Sequence, residues 1–309
     1  MRLTNNVFVP FQMLFTIDSY RQLGRAEDID VDALPDRCAP ILNGLRLLTK
    51  AASAELTSDR VVEKAHYTEV IAGLSEHFPE LFNRQQQDVD ELLRHLIGSL
   101  EGPLLHLPDH AIRYAEAVKQ DCSRCKYQKA TEETEVITSL AIPREVAARH
   151  RGSAIPLTEL LELHQFPEIV ECDRDTCKGK EASKSVTRRF RRLGRYWIIQ
   201  LKRFGFDGSG KKTADRVNVP LVLTSGSSAF YLRNAVLHTG ATLQSGHYIN
   251  FGRLWCLLFA SSFVVRSSGY TGSFSSYRIT SLESMFIIAD SIIVLLRQKI
   301  VPPLDYTAR

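Results

Sequence analysis

The sequence predicts an α+β fold in which helices come first and strands follow, and not an alternation of the two. Three observations carry that expectation. Residues 41–101 read as helical, with an apolar stripe at helical spacing at their end. Beyond Arg195 the chain breaks into short aromatic and β-branched runs bounded by Gly, Pro and Ser. Between these two parts lie two close cysteine pairs set among polar residues.

The helical part is clearest in QQQDVDELLRHLIGSL. Its apolar residues Val89, Leu92, Leu93, Leu96, Ile97 and Leu100 follow at steps of 3, 1, 3, 1 and 3, which is one face of a 3.6-residue period. Asp88 stands near its start, where a carboxylate caps free N–H groups and suits the helix dipole. EGPLLHLPDH then ends the helix.

From about residue 120, TEVITSLAIP and SVTRRFRRL read as strands, and YWIIQLKRF, VNVPLVL, YLRNAVL and HYINFGR do so more strongly. FDGSGKKTAD reads as a polar loop between two of them. Residues 254–284 are serine-rich with no clear period and read as a long irregular insertion.

The 309 residues are 44% hydrophobic and 24% charged, a globular composition with enough chain for a core that needs no disulfides. Net charge is +4. The basic run RRFRRLGR, residues 188–195, is short and reads as a solvated strand face, so no nucleic-acid partner is expected. The apolar stretches 254–265 and 286–296 fall short of the roughly 20 residues that span a bilayer, and Asp290 interrupts the second. No signal-peptide pattern opens the chain. The expectation is an intracellular protein of cytoplasm or nucleus, with no membrane partner.

The six cysteines are Cys38, Cys122, Cys125, Cys172, Cys177 and Cys256. Cys122 and Cys125 form a CxxC, and Cys172 and Cys177 are separated by four residues. Structural zinc takes four thiolates in a tetrahedron, and tight turns of two neighbouring β-hairpins would point both pairs inward. Four reduced, unpaired thiols are the alternative. A redox CxxC is disfavoured, because no βαβ pattern surrounds it.

His247 lies in TLQSGHYINFGR, after a glycine and at the start of a strand pattern. From the residues alone it reads either as a general base at a cleft or as a satisfied structural histidine.

Four stretches in a set order resemble the ubiquitin-specific protease family. QQQDVDELLRHL resembles its QQDAxEFL helix, and the two cysteine pairs resemble its zinc-binding fingers. GRYWIIQLKRFGFDGSGKKTADRVNVPLVL is similar to its LKRF strand segment. YLRNAVLHTGATLQSGHYINFGR is similar to its histidine box. The resemblance covers about residues 10–253. It implies a papain-like cysteine protease fold in which thumb, zinc fingers and palm grip ubiquitin. It also implies hydrolysis of the isopeptide bond after ubiquitin's C-terminal glycine, by a cysteine thiolate, a histidine base and an orienting Asp or Asn.

Residue by residue, the resemblance puts His247 at the general-base position and His238 at a supporting position in the same box. It makes Cys122, Cys125, Cys172 and Cys177 the ligands of a structural zinc. It divides the chain into a helical thumb (1–103), zinc fingers with part of the palm (104–195), palm strands with the histidine box (196–253), an irregular insertion (254–284) and a partial final palm segment (285–309).

Two positions depart from the family. NNVFVPFQMLF resembles the cysteine box, yet Asn5 stands at the nucleophile position and no cysteine precedes Cys38. MFIIADSIIVLL resembles the acid box, yet Ala289 replaces the first acid and Asp290 is the candidate substitute. Impaired hydrolysis is therefore expected. The chain reads either as a pseudo-protease that binds ubiquitin or acts as a scaffold, or as a truncated and interrupted reading frame.

Overall fold

Val89, Leu92, Leu93, Leu96, Ile97 and Leu100 are all buried, so the stripe read from the sequence is the inner face of a helix. The computed structural model describes residues 9–14, 16–53, 64–79, 89–101, 112–177, 183–203, 215–242, 245–254, 257–259, 285–287 and 292–298.

The N-terminal part is helical. A segment over 9–14 (α1) is followed by α2 (Asp18–Arg25), a 3-10 turn (Asp36–Cys38), α3 (Ala39–Ser53), α4 (Lys64–His77) and α5 (Val89–Leu100). At Gly24 a side chain would come within 2.7 Å of the Leu45 carbonyl oxygen, so a glycine lets α2 lie against α3. Two further helices, α6 (Arg144–Arg149) and α7 (Leu157–Gln165), sit among the strands.

The strands in chain order are β1 (Tyr114–Cys122), β2 (Gln128–Glu135), β3 (Ile137–Ala141), β4 (Ile155–Pro156), β5 (Glu168–Glu171), β6 (Ser183–Arg192), β7 (Tyr196–Lys202), β8 (Val217–Val219), β9 (Val222–Ser225), β10 (Ser228–Thr242), β11 (Ser245–Leu254), β12 (Leu257–Phe259), β13 (Met285–Ile287) and β14 (Ile292–Gln298). Among the described residues they form three sheets. One runs β2-β1-β6-β5, one runs β12-β11-β10-β14-β7-β3 with β9 joined to β10, and a small one runs β13-β8-β4.

The largest sheet is covered on both faces. Ile198 of β7 and Ile293 and Leu295 of β14 point into the core made by α1 to α5. Their neighbours Trp197, Ile199, Val294 and Leu296 point into a second core closed by Leu157, Leu160 and Leu161 of α7. Successive strand residues face opposite sides, so a strand buried on both faces is continuously apolar. That accounts for the run IIVLL at 292–296. It is the centre of a sheet, between β10 and β7.

β10 changes parity along its length. Phe230 and Leu232 face the second core, and so does Ala235. A register shift between Leu232 and Asn234 places Arg233 as the extra residue of a bulge, which turns the following side chains over. The expected strands TEVITSLAIP, SVTRRFRRL, YWIIQLKRF, VNVPLVL, YLRNAVL and HYINFGR overlap β3, β6, β7, β8, β10 and β11, of which β10 and β11 run beyond the stretches read from the sequence at both ends. Most of FDGSGKKTAD, and residues 260–284 of the expected insertion, lie outside the described residues.

Candidate metal centre and catalytic face

The four-stranded sheet is built from two β-hairpins laid side by side. β1 and β2 are antiparallel with Cys122 and Cys125 at their turn, β5 and β6 are antiparallel with Cys172 and Cys177 at theirs, and the β1–β6 ladder joins the two hairpins. Cys122 stands opposite Lys184, so both turns come to the same end of the sheet.

The result is one cluster. The sulfurs of Cys122, Cys125, Cys172 and Cys177 all lie within 4.8 Å of one another. Three of the residues are buried and Cys125 is half-buried. The Sγ atoms of Cys122 and Cys177 are 3.8 Å apart. Four thiolates at about 2.3 Å from a tetrahedral zinc stand about 3.8 Å apart, so the donor set fits zinc in number, type and spacing. The two turns are tied locally. The Cys122 N–H donates to the Tyr127 carbonyl at 2.9 Å, and the Cys177 N–H donates to the Arg174 carbonyl at 2.7 Å. Lys126 takes a positive φ of 58°, which closes the first turn. The Arg174 guanidinium lies 4.5 Å from the centre of the Tyr127 ring, a cation–π contact from one hairpin to the other. No spacing in the sequence announces that contact.

The thiols differ in acidity. Backbone N–H groups of Cys125 and Arg124 point at the Cys122 sulfur and bring its pKa down to about 6. Burial, then hydrogen bonding to the other three thiols, pushes Cys177 up to about 12.

Cys38 has a different setting. It is fully buried, its Sγ lies 3.1 Å from the Ser99 carbonyl oxygen, and burial raises its pKa. A thiol that is protonated and withdrawn from solvent is a poor nucleophile.

The backbone of His247 lies in β11, opposite Thr239 of β10 and beside a register irregularity between Thr239 and Thr242. His238 is buried on β10, opposite Tyr248. Asn5, Ala289 and Asp290 lie outside the described residues. β13 and β14 flank Asp290 in the chain.

The sequence pattern of a protein family, Ubiquitin carboxyl-terminal hydrolase, matches residues 9–263. The chain belongs to this family. Zebrafish (Danio rerio) Ubiquitin carboxyl-terminal hydrolase 13 is 24% identical to it over 176 residues, which is 48% of this chain and 20% of that protein. The matched stretch thus spans a fifth of the relative's length. Among solved structures, a chain of the SAGA DUB module Ubp8/Sgf11/Sus1/Sgf73 bound to monoubiquitin is similar with a TM-score of 0.65 at 17% identity, covering 97% of this chain and 68% of that one. The same module bound to ubiquitin aldehyde gives a TM-score of 0.64 at 15% identity, again covering 97% and 68%.

The α+β, papain-like fold of the ubiquitin carboxyl-terminal hydrolases is thus the fold of this chain, and the family is one of cysteine-type deubiquitinases. Among the described residues, no helix is long and apolar enough to cross a membrane.

Proposed function

We propose that this chain is a ubiquitin-recognising catalytic domain of the ubiquitin carboxyl-terminal hydrolases whose hydrolytic step is impaired at the nucleophile. What supports this reading is the resemblance of NNVFVPFQMLF to the family's cysteine box, which sets Asn5 where the nucleophile would stand, in a chain that the family pattern matches over residues 9–263. An amide has no atom that ionises near neutral pH to attack a carbonyl, and removal of a nucleophile costs several orders of magnitude in rate. Cys38 gives no substitute, since its sulfur is buried against a backbone carbonyl.

In this reading residues 1–103 form the thumb, 104–195 the zinc fingers with part of the palm, and 196–253 the palm strands. Residues 254–284 are an insertion, and 285–309 are the last palm segment. His247 keeps the general-base position on β11, and Asp290 stands in for the acid that orients it. Zinc on Cys122, Cys125, Cys172 and Cys177 braces the fingers without entering the reaction. The partner is ubiquitin or a ubiquitinated protein, which accords with the ubiquitin-bound state named for the similar solved structures. The described cysteines are all free thiols, which suits the reducing interior of a cell, cytoplasm or nucleus.

Ubiquitin with a thiol-reactive C-terminal group tests the reading. The expected result is reversible binding with no covalent adduct, and that result also fits a scaffold that has left catalysis altogether. A covalent adduct at any cysteine refutes the impaired nucleophile. Failure to bind ubiquitin at all refutes the whole reading.

A further inference from the structure

The basic run at residues 188–195 ends in Arg195, and Arg195 belongs to a cluster that the family's motifs leave unexplained. Asp18, the first residue of α2, stands at its centre. Arg21 Nη2 donates to Asp18 Oδ1 at 2.7 Å. The other oxygen, Oδ2, accepts from the Tyr196 hydroxyl at 3.0 Å and from Arg297 Nη2 at 3.0 Å, with Arg195 Nη2 at 3.6 Å. Arg233, the bulge residue of β10, belongs to the same group. Its pKa is lowered by burial and then by the Arg297 guanidinium; Arg21 also repels it, and Tyr196 and Asp18 attract it.

Three guanidiniums therefore share one carboxylate, and the Arg233 guanidinium lies within the same electrostatic field. Four arginines carry about twenty N–H donors, whereas a carboxylate offers about four acceptor directions. Oδ2 alone already faces three donors. Arg233 Nε is buried and has no acceptor. A buried donor without a partner costs free energy, and so does a surplus of like charge. Both are relieved by an anion that enters from solvent. Arg195 leaves the way in, since its side chain is 44% exposed while that of Arg297 is 20% exposed.

We propose that Arg21, Arg195, Arg233 and Arg297 form a phosphate-binding site. A phosphate dianion matches the planar guanidinium fork and neutralises more of the surplus charge than a single carboxylate does. The site is separate from the catalytic face. His247 pairs with Thr239, and Arg233 lies six residues back along β10, roughly 20 Å away at strand rise. The proposal does not depend on ubiquitin recognition.

Calorimetric titration of the whole chain with inorganic phosphate, at ionic strength held constant with sodium chloride, tests it. Saturable binding is expected, weakened roughly tenfold or more by Arg233→Gln and by Arg195→Gln, because each removes charged donors, and unchanged by Arg151→Gln in the exposed turn after α6. If Arg233→Gln does not fold, the half-exposed Arg195→Gln decides alone. A parallel titration with a short phosphoserine peptide separates the sources: tighter binding than phosphate means the group arrives on a protein, and equal binding means free phosphate. Heat that never saturates, or both variants binding as the parent does, overturns the site.

Discussion

The sulfurs of Cys122 and Cys177 lie 3.8 Å apart although 55 residues separate them in the chain. The β1–β6 ladder makes that distance, because it sets two hairpin turns at one end of a sheet. A metal held there braces both hairpins at once.

The purified chain is expected to carry about one zinc, as a four-thiolate site requires. Cys172→Ser should lose most of it and lower the melting temperature, since structural zinc contributes folding free energy outright. Metal by atomic emission and melting by calorimetry check both. A metal content under about half per chain in the parent protein would remove the site.

Zinc binding should release protons, and fewer than four. At pH 7 the Cys122 thiol, lowered to about 6, is already mostly thiolate, whereas Cys177, raised to about 12, is protonated and must lose its proton to bind. The sign follows directly. Acid protonates the sulfurs and expels the metal, so affinity rises with pH and falls away as Cys122 titrates near pH 6. Titrations in buffers of different ionisation enthalpy count the protons, and affinity independent of pH between 5 and 8 would contradict the account.

Trp197 of β7 joins the seven-stranded sheet to the four-stranded one. Its indole Nε1 donates to Thr138 Oγ1 at 2.8 Å, and its ring meets Phe190 and Phe230 edge-on at 5.2 and 5.5 Å. Trp197→Ala should cost about 3–5 kcal/mol, the usual range for emptying a large aromatic site in a core. Urea unfolding measures it, and a loss below about 1 kcal/mol would show that the site collapses around the deletion.

Asn5→Cys should create a thiol that reacts with the C-terminally activated ubiquitin probe, and adding His247→Ala should slow that reaction by about two orders of magnitude or more. Mass spectrometry of the adduct locates the modified residue. Labelling of the double variant as fast as the single one would take His247 out of the base position.

Some of this architecture is local and was legible in the chain. The stripe from Val89 to Leu100 is a helix because its period is set by adjacent residues, whatever packs on it. The two cysteine pairs show because each sits on its own turn. Other features had no local trace. The run at 292–296 is apolar on every residue, which alone cannot separate a buried strand from a buried helix; its place between β10 and β7 makes it a strand. The Arg233 bulge is equally silent, since one extra residue has meaning only against a partner strand.

The amino-acid sequence by itself determined the order of helices and strands and the four clustered sulfurs, because each is written in neighbouring residues or in a motif. Tertiary structure alone decided that Asp18 would meet Arg195, Tyr196 and Arg297. Those residues are far apart along the chain, and charges interact through the distance between them in space, which only the packing of α2 against the ends of β7 and β14 sets.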